Sequence, residues 1–338
     1  MRQSLALSPI AASLLLALSA CGGGGSDTSS PTGSVSIPTG ARAGTANSAA
    51  DLSSNNALQV GTHLAKALRG DATGGVTGPA AAARAKALAV QTQGARGLPS
   101  PLLLARQAVY SAGPKLPTQR AQASTATISS LPCPNGGRMT VTVDDMDGNG
   151  TLSSGDSILT NFSACVTGPG EPSLDGRFDL SLAAVTVSSA GDALNLDATG
   201  TFTDFSVAGE GTLNGSVRIW IVTEGLQERF RMSYQNARLT LPSGEVQQLQ
   251  YDLYGSLSDL QMNVELSGAI GMGSQLYAAN STAAFMAGAD GVMRSGTAQL
   301  RDAAGDVLQL QAQTSGRYDL TLTSANGQVL WSATGLGW

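Results

Sequence analysis

Six residues within one twelve-residue segment, 145–156, carry oxygen atoms at the spacing of a calcium-binding loop. Calcium prefers about six to eight oxygen ligands, and such loops supply them from fixed positions around a glycine that makes the sharp turn. Here that glycine is Gly150. The predicted ligands are Asp145, Asp147, Asn149, the carbonyl group of Thr151, Ser153 and Asp156.

Two features of this loop depart from the common pattern. The last position carries Asp156, whereas helix–loop–helix calcium sites carry a glutamate that reaches the ion with both oxygens. The flanking sequence alternates like strands, which argues against flanking helices. Asp-Gly and Asn-Gly pairs also form turns without any ion. The sequence therefore leaves open a structural calcium site and an ordinary acidic turn.

The remaining residues offer little catalytic chemistry. His63 is the only histidine, and we expect it to face solvent on a short helix. The chain has no Gly-x-Ser-x-Gly nucleophile motif, no His/Cys cluster for zinc and no glycine-rich phosphate loop. We therefore predict a protein that is not an enzyme. A glycosidase-type carboxylate pair is the remaining enzymatic alternative, because acidic residues are numerous.

The first 21 residues have the pattern of an export signal. Arg2 precedes an apolar stretch, 5–18, that is too short for a comfortable bilayer span. The sequence Leu18-Ser19-Ala20-Cys21 resembles the lipobox of bacterial lipoproteins. This resemblance implies diacylglycerol on the Cys21 sulfur, cleavage before Cys21, and an acyl chain such as palmitate on the new amino terminus.

Two or three acyl chains together make dissociation from a membrane negligible. Gly22 follows the cysteine where enteric inner-membrane lipoproteins carry an aspartate. By the same resemblance, we expect an outer-membrane lipid anchor in a Gram-negative bacterium, with the protein facing either the periplasm or the cell surface.

Lipidation of Cys21 would leave Cys133 and Cys165 as a pair in an oxidising compartment. Neither cysteine has the Cys-x-x-Cys spacing of a redox-active pair, so we predict a structural disulfide. The calcium-like loop lies between these cysteines in sequence, and we expect the disulfide and the ion to order the same segment.

The segment from Cys133 to Cys165 resembles part of uncharacterised, beta-rich lipoproteins of Gram-negative bacteria. The resemblance depends on Cys133-Pro134-Asn135-Gly136-Gly137, the Asp/Asn/Gly loop, Gly155-Asp156, Phe162 and Cys165. It covers about 35 residues in addition to the lipobox and implies no known activity.

Composition divides the chain into four parts. Residues 1–20 are the signal peptide, and residues 21–50 are a lipidated tether of Gly, Ser, Thr, Ala and Pro that we expect to be disordered. Residues 51–128 are Ala-rich and basic, with predicted helices near 56–69, 79–94 and 101–112. Residues 129–338 form the predicted antiparallel β domain, as a sandwich, a curved sheet or an open barrel.

Opposite charge separates the helical segment from the strand domain. Residues 41–120 carry nine Lys or Arg against two Asp, whereas residues 121–338 carry nine Arg against twenty-one Asp or Glu. A basic segment could bind anionic lipid or polymer, or it could dock on its own acidic domain. We favour intramolecular docking, because it needs no added partner.

Residues of the strand domain alternate between apolar and polar types. The predicted inward positions are Met139, Val141, Val143, Phe178, Leu180, Leu182, Val217, Ile219, Ile221, Phe230, Met232, Tyr234, Leu249, Tyr251, Leu253, Leu308, Leu310, Ala312, Tyr318, Leu320 and Leu322. Asp175-Gly176, Asn214-Gly215 and Asn326-Gly327 are predicted turns. The segments 173–182 and 212–221 resemble each other, which indicates either a repeated unit of three or four strands or two hairpins with the same turn chemistry; we favour the hairpins.

We therefore expect a membrane-anchored lipoprotein that presents a non-catalytic, β-rich binding module at the cell envelope. Its partners would be the membrane, through the lipid on Cys21, and an envelope polymer, protein or lipid; we expect no nucleic acid, and the oligomeric state stays open. The alternative is a carrier of lipid or another hydrophobic ligand with an open-barrel cavity, which an apolar cavity of several hundred cubic ångströms would favour.

Overall fold

Antiparallel strands dominate the computed structural model of this protein. It describes residues 35–73, 101–112, 125–167, 172–188, 193–224, 227–258, 261–288 and 292–338, without the side chains of 69–73, 125–128 and 224. Within these ranges, fifteen strands belong to one sheet. The prediction of a mainly β, antiparallel fold with short helices is confirmed.

The chain order places two helices before the strands. The helices and strands are α1 Ala57–Thr73, α2 Pro101–Ala112, β1 Thr125–Pro132, β2 Arg138–Asp145, β3 Ser157–Cys165, β4 Leu174–Val187, β5 Leu194–Val207, β6 Gly211–Glu224, β7 Gln227–Tyr234, β8 Ala237–Thr240, β9 Val246–Leu257, β10 Gln261–Met272, β11 Gln275–Gly288, β12 Met293–Arg301, β13 Val307–Ala312, β14 Tyr318–Thr323 and β15 Val329–Leu336. Strands that follow each other in sequence pair with each other, except that β7 pairs with β9 and that β8 pairs with β6 and β9.

Alternating burial gives the sheet one apolar face. In β14, for example, Tyr318, Leu320 and Leu322 are buried, and the residues between them are half-exposed. Every predicted inward residue is buried and belongs to one continuous core. The alternation therefore predicted the inner face correctly, because each side chain's hydropathy decides the face that it occupies.

Both described helices pack on the inner face and share this core. Leu64 and Leu68 of α1 and Leu102 of α2 are almost fully buried. α1 contacts β10, β13 and β14, whereas α2 contacts β2, β3, β4 and β6. Gly61 of α1 lies so close to β14 that an added Cβ would overlap the side chain of Leu320. Intramolecular docking of these helices is thus observed.

Helix positions agree with the predictions where the structure describes them. α2 begins at Pro101 as expected, and α1 begins beside Asn56, whose carbonyl accepts from the amide of Val60. The predicted helix at 79–94 lies outside the described residues. Among the helices that are described, none has the length and hydropathy to span a bilayer.

Two predicted domain boundaries differ from the structure. β1 begins at Thr125, before the expected start of the β domain at 129. Residues 35–50 were expected in the tether, but several of them bond to the sheet: the Asn47 amide donates to the Leu276 carbonyl at 2.9 Å, and the Arg42 Nη1 donates to the Tyr234 carbonyl at 2.6 Å. Composition does not predict this docking, because both bonds end on main-chain carbonyl groups, which every residue of the sheet carries. The described residues, from 35 to 338 with the gaps given above, form one compact unit.

Two of the predicted Gly turns are instead bulges inside strands. Asp175-Gly176 lies within β4 and Asn214-Gly215 within β6, and the prediction of hairpin turns there was wrong. The Asp175 Oδ1 accepts from the amide of Ala164 at 2.8 Å, and the Asn214 Oδ1 accepts from the amide of Asp204 at 2.8 Å. These amides belong to bulged residues of the neighbouring strands, with φ of 45° and 48°.

The glycines complete the same bulge motif. Gly176 has φ of 98° and Gly215 has φ of 112°, and an added Cβ would overlap the opposite main chain at either position. A turn and a bulge both need positive φ, so the sequence signal is the same for both. The resemblance between 173–182 and 212–221 therefore marks a repeated bulge, whereas Asn326-Gly327 forms the turn between β14 and β15 as predicted.

Candidate metal centre

The β2–β3 hairpin brings the predicted acidic ligands together. Asp144 pairs with Ser157 in the register of this hairpin. Asp145 and Asp156 are the next residues outward on the two chain segments, so they lie opposite each other where the loop begins. Asp147 joins them from the loop, and carboxylate oxygens of the three residues lie within 4.8 Å of one another. Flanking strands, rather than helices, hold the loop, as the sequence indicated.

Main-chain amides of the loop bind two of these carboxylates from both sides. The Asp156 oxygens accept from the amides of Met146 at 2.9 Å and Ser153 at 2.7 Å. The Asp145 Oδ2 accepts from the amide of Gly150 at 2.8 Å. β4 also holds the loop, because the Leu182 amide donates to the Asp156 carbonyl at 2.9 Å. Main-chain groups of the loop and of β4 therefore fix Asp145 and Asp156.

The predicted neutral ligands also lie in this loop. The Ser153 Oγ lies 3.0 Å from the Asp147 Oδ2 and 3.1 Å from the Asp156 Oδ2, so its one proton is shared between the two carboxylates. The Asn149 side chain donates to the Asp147 Oδ2 at 2.7 Å, and its Oδ1 accepts from the Thr151 hydroxyl at 2.6 Å. All six predicted ligand residues are thus brought together. Asn149 and Thr151 bond mainly to loop neighbours.

Burial, hydrogen bonds and charge shift the pKa of two carboxyl groups in this cluster, those of Asp147 and Asp156. Desolvation raises the pKa of Asp156, against hydrogen bonds from Ser153 and Met146, and the charge of Asp145 raises it further. Desolvation also raises the pKa of Asp147, but hydrogen bonds from Asn149 and Ser153 outweigh it and leave the pKa below its ordinary value. Two carboxylates about 4 Å apart repel by roughly 4 kcal/mol near a protein surface. A bound proton or cation would reduce this repulsion.

The spacing of the carboxylates fits one calcium ion. Oxygens that share an ion at about 2.4 Å are separated by at most about 4.8 Å, which agrees with the separations observed. Three carboxylates exceed the charge of calcium, and Ser153, Asn149 and the Thr151 carbonyl are neutral oxygens in the same loop. Calcium bound here would neutralise the cluster and fix the loop, which is a structural role.

The disulfide joins Cys133 to Cys165, with Cα atoms 5.4 Å apart. It lies at the opposite end of the β2–β3 pair from the acidic loop. The register runs over seven residue pairs from Asp144–Ser157 to Arg138–Ser163, a length of about 20 Å at roughly 3.4 Å per residue. The disulfide and the acidic loop thus hold opposite ends of the same hairpin, β2–β3, because the paired strands separate them although they are close in sequence. That an ion orders this hairpin together with the disulfide stays a prediction.

The other residues singled out from the sequence lie elsewhere. Cys21 lies outside the described residues. His63 is half-buried on α1, where its Nε2 lies 3.5 Å from the Gln247 Nε2, and the expectation of a solvent-facing residue was wrong. Burial lowers the pKa of His63, the charge of Glu245 opposes this, and Lys66 adds to it. Gln247 lies on β9, and Glu245 lies between β8 and β9.

Sequence reasoning missed a polar row on the outer face of the sheet. Trp220, Arg231 and Tyr254 pair across β6, β7 and β9. The Arg231 guanidinium carbon lies 5.3 Å from the ring centre of Trp220 and 4.7 Å from that of Tyr254. Arg231 also forms an ion pair of 2.7 Å with Asp252, which is 1% exposed. Polar residues alternating with Phe230 and Met232 were the only available signal.

A second missed feature is a buried ion pair within the core. Arg106 of α2 contacts Glu228 of β7, and the two residues are 8% and 5% exposed. Burial lowers the pKa of Arg106 to about 10, and the charge of Tyr110 acts in the opposite direction. The sequence shows that Arg106 is a charged residue within an apolar helix, but it does not show which residue pairs with it. The partner, Glu228, lies 122 residues further along the chain.

No protein-family model matches this chain, and no curated protein and no solved structure matches it either.

Proposed function

We propose that this chain is a bacterial outer-membrane lipoprotein, anchored through Cys21, whose β-rich domain is a non-catalytic binding module of the cell envelope. The observation that carries the proposal is the pairing of Cys133 with Cys165. This pairing leaves Cys21, the cysteine of the lipobox-like sequence, as the remaining thiol. Disulfides persist in exported proteins, so the pairing supports export, which lipidation requires.

The packing of the helices supports a binding module over a lipid carrier. A carrier would need an apolar cavity on the inner face. In the described part of the chain, α1 and α2 pack against that face, and residues such as Leu64 and Leu102 bury their side chains there. The inner face therefore serves as core. The outer face, which carries polar, charged and aromatic residues, is the surface on which a partner would bind.

Membrane anchoring is tested by expression of the full gene product in a Gram-negative host supplied with labelled palmitate. We expect label in the wild-type chain and its recovery with outer membranes. The Cys21→Ser variant should lack the label and appear in the soluble periplasmic fraction. Cys133→Ser is the matched control, since it removes a cysteine outside the lipobox and should keep the label. A soluble, unlabelled wild-type chain would refute the proposal.

We also propose that the β2–β3 loop binds a structural calcium ion. Three carboxylates within 4.8 Å and a twelve-residue ligand pattern support this role. Calorimetric titration of the chelator-treated chain with calcium should give heat and a raised melting temperature. Asp145→Asn should abolish both effects. Asp144→Asn is the matched control, because alternation places its side chain on the other face of β2. Absence of any response at millimolar calcium would end this proposal.

A further inference from the structure

Residues 36–47, here called the strap, cross part of the outer face of the sheet before the chain enters the core at Ala50 and Leu52. The strap forms no helix or strand of its own. The Arg231 Nη1 donates to the carbonyl of Pro38 at 2.8 Å. The Tyr254 hydroxyl donates to the carbonyl of Gly40. Two side chains of the outer face thus bind the main chain of the strap at carbonyls two residues apart.

Contacts further along the strap fix its position. The Arg42 guanidinium donates to the Tyr234 carbonyl at 2.6 Å. Asn47 bonds to β11 in both directions, since its amide donates to the Leu276 carbonyl and its Oδ1 accepts from the Leu276 amide at 3.0 Å. Between them, Gly44 lies against β10 so closely that an added Cβ would overlap the carbonyl of Gly268. Only a glycine fits at this point.

Arg231 and Tyr254, which bond to the strap, and their neighbours Trp220 and Asp252 are here called the outer-face groove. Arg231 lies between the rings of Trp220 and Tyr254, and these stacking contacts together with Asp252 hold its guanidinium in place. Arg231 therefore presents a fixed donor to whatever lies above it. Asp252 is buried, and its Oδ1 has no hydrogen-bond partner among the described residues. Asp252 lies two residues from Tyr254 on β9, so this unused acceptor is on the same face as the two donors that the strap occupies.

The strap itself contributes little apolar contact. Residues 38–41 are exposed, and most of the others in the strap are only half-buried. Segments that are held by exposed hydrogen bonds with few buried side chains open at a lower free energy than the core. The groove would then present its donors and the Asp252 acceptor to another molecule.

We propose that this outer-face groove is a docking site for a polypeptide segment of small residues, and that the strap occupies it as an intramolecular ligand. A partner protein with such a segment binds by displacing the strap. The partner's main-chain carbonyls accept from Arg231 and Tyr254, and a glycine lies against Gly268. The inference rests on the proposed function in taking the β domain as a binding module, but it needs no lipid on Cys21.

The test measures binding of a fluorescent synthetic peptide, of the sequence of residues 35–49, to the full chain by anisotropy. A tethered segment has an effective concentration of about 1 mM, so the strap of the wild-type chain should exclude micromolar peptide. Gly44→Val expels the strap by overlap with Gly268. We expect this variant to bind the peptide at least about 100-fold more tightly than the wild type does.

Matched variants separate the groove from other causes. Gly40→Ala should behave as wild type, since no atom lies within 4 Å of a Cβ added there. A peptide with valine in place of Gly44 should not bind. Arg231→Lys, added to Gly44→Val, should weaken binding about tenfold or more, because lysine keeps the charge but loses the planar fork. Trypsin cleavage after Arg42 and hydrogen exchange report whether the strap is released.

Two results would overturn the proposal. One is equal binding of the peptide to the wild-type and Gly44→Val chains. The other is no binding up to millimolar peptide although the Gly44→Val chain is folded and its strap is released. If Gly44→Val does not fold, peptide binding is measured with the double variant Arg42→Ala and Asn47→Ala, which removes the side-chain hydrogen bonds of these two strap residues. Membrane fractionation tests the lipid anchor separately, so failure of one proposal is distinguishable from failure of the other.

Discussion

Removal of one partner of the buried ion pair should destabilise the protein strongly. Arg106 and Glu228 are 8% and 5% exposed and join α2 to β7 inside the core. The Glu228→Gln variant leaves the Arg106 cation buried without a counter-charge. Loss of one partner of such a pair costs about 3–5 kcal/mol, because the remaining charge keeps its desolvation penalty. That is a large share of the roughly 5–15 kcal/mol by which domains are stable.

Replacement of both partners should restore most of this loss. Arg106→Met with Glu228→Met removes both charges and keeps similar volumes, so its free energy of unfolding should lie within about 1 kcal/mol of the wild type or above it. The coupling energy of the pair is obtained from urea denaturation of four chains: the wild type, Arg106→Met, Glu228→Met and the double variant. We expect a coupling of at least about 2 kcal/mol in favour of the pair.

An exposed ion pair provides the control. The side chains of Arg177 and Asp179 are 49% and 27% exposed, and exposed pairs contribute about 0–1 kcal/mol. Arg177→Met should therefore change stability by less than about 1 kcal/mol. Two results would contradict this prediction. One is that Glu228→Gln lowers the free energy of unfolding by no more than Arg177→Met does. The other is that the effects of the substitutions at Arg106 and Glu228 are additive. Either result would mean that α2 does not dock in the core as described.

Four further predictions follow from the site and its surroundings. Cys133→Ser with Cys165→Ser should lower the free energy of unfolding by roughly 3–4 kcal/mol in urea, the loop-closure value for about 33 residues; an unchanged midpoint would contradict this. Burial lowers the pKa of His63, so the folded chain binds its proton less readily than the unfolded chain does, and stability falls as pH drops below about 6.5. The His63→Gln variant should lose less stability between pH 7.5 and 5 than the wild type, and parallel melting curves would refute the assignment. Burial raises the pKa of Asp156. With calcium removed by a chelator, the protonated Asp156 therefore stabilises the fold at low pH, and this stabilisation is lost as the pH rises through the raised pKa. The free energy of unfolding of Asp156→Asn should thus increase relative to that of the wild type from pH 4 to pH 7. Asn214→Ala removes the acceptor of the bulged Asp204 amide, which is exposed to water, and should cost about 0.5–1.5 kcal/mol, whereas a neutral effect would show that this bulge needs no side-chain support.

Turn signals illustrate how a correct local inference led to a wrong element. Asn326-Gly327 and Asn214-Gly215 present the same local chemistry, an Asx side chain before a residue with positive φ. The first reverses the chain between β14 and β15, whereas the second keeps β6 running through a bulge. The difference depends on whether the neighbouring strand continues past the glycine. For Gly215 the neighbouring strands are β5 and β8, which lie outside the few residues of a turn, so local sterics could not decide it.

The acidic loop was predictable because all of its parts are local. Asp145, Asp147 and Asp156 lie within twelve residues, and a hairpin between β2 and β3 necessarily returns the chain to its start. The relation between loop and disulfide was not predictable in the same way. Cys133 and Cys165 bracket the loop in sequence, but the length of the paired strands places them at the far end of the hairpin.

By itself, the sequence determined the antiparallel β class, the inner-facing residues, the start of α2 and the composition of the acidic loop. Hydropathy period, helix-terminal residues and ligand spacing are properties of neighbouring residues, and they act before any tertiary contact forms. Only the tertiary structure decided that residues 36–47 lie on the sheet, that Arg231 stacks between Trp220 and Tyr254, and that Arg106 meets Glu228. The strap and the buried ion pair join segments that lie more than a hundred residues apart, and Arg231 contacts rings on two other strands. Local sequence patterns describe neighbouring residues only, so they do not predict these contacts.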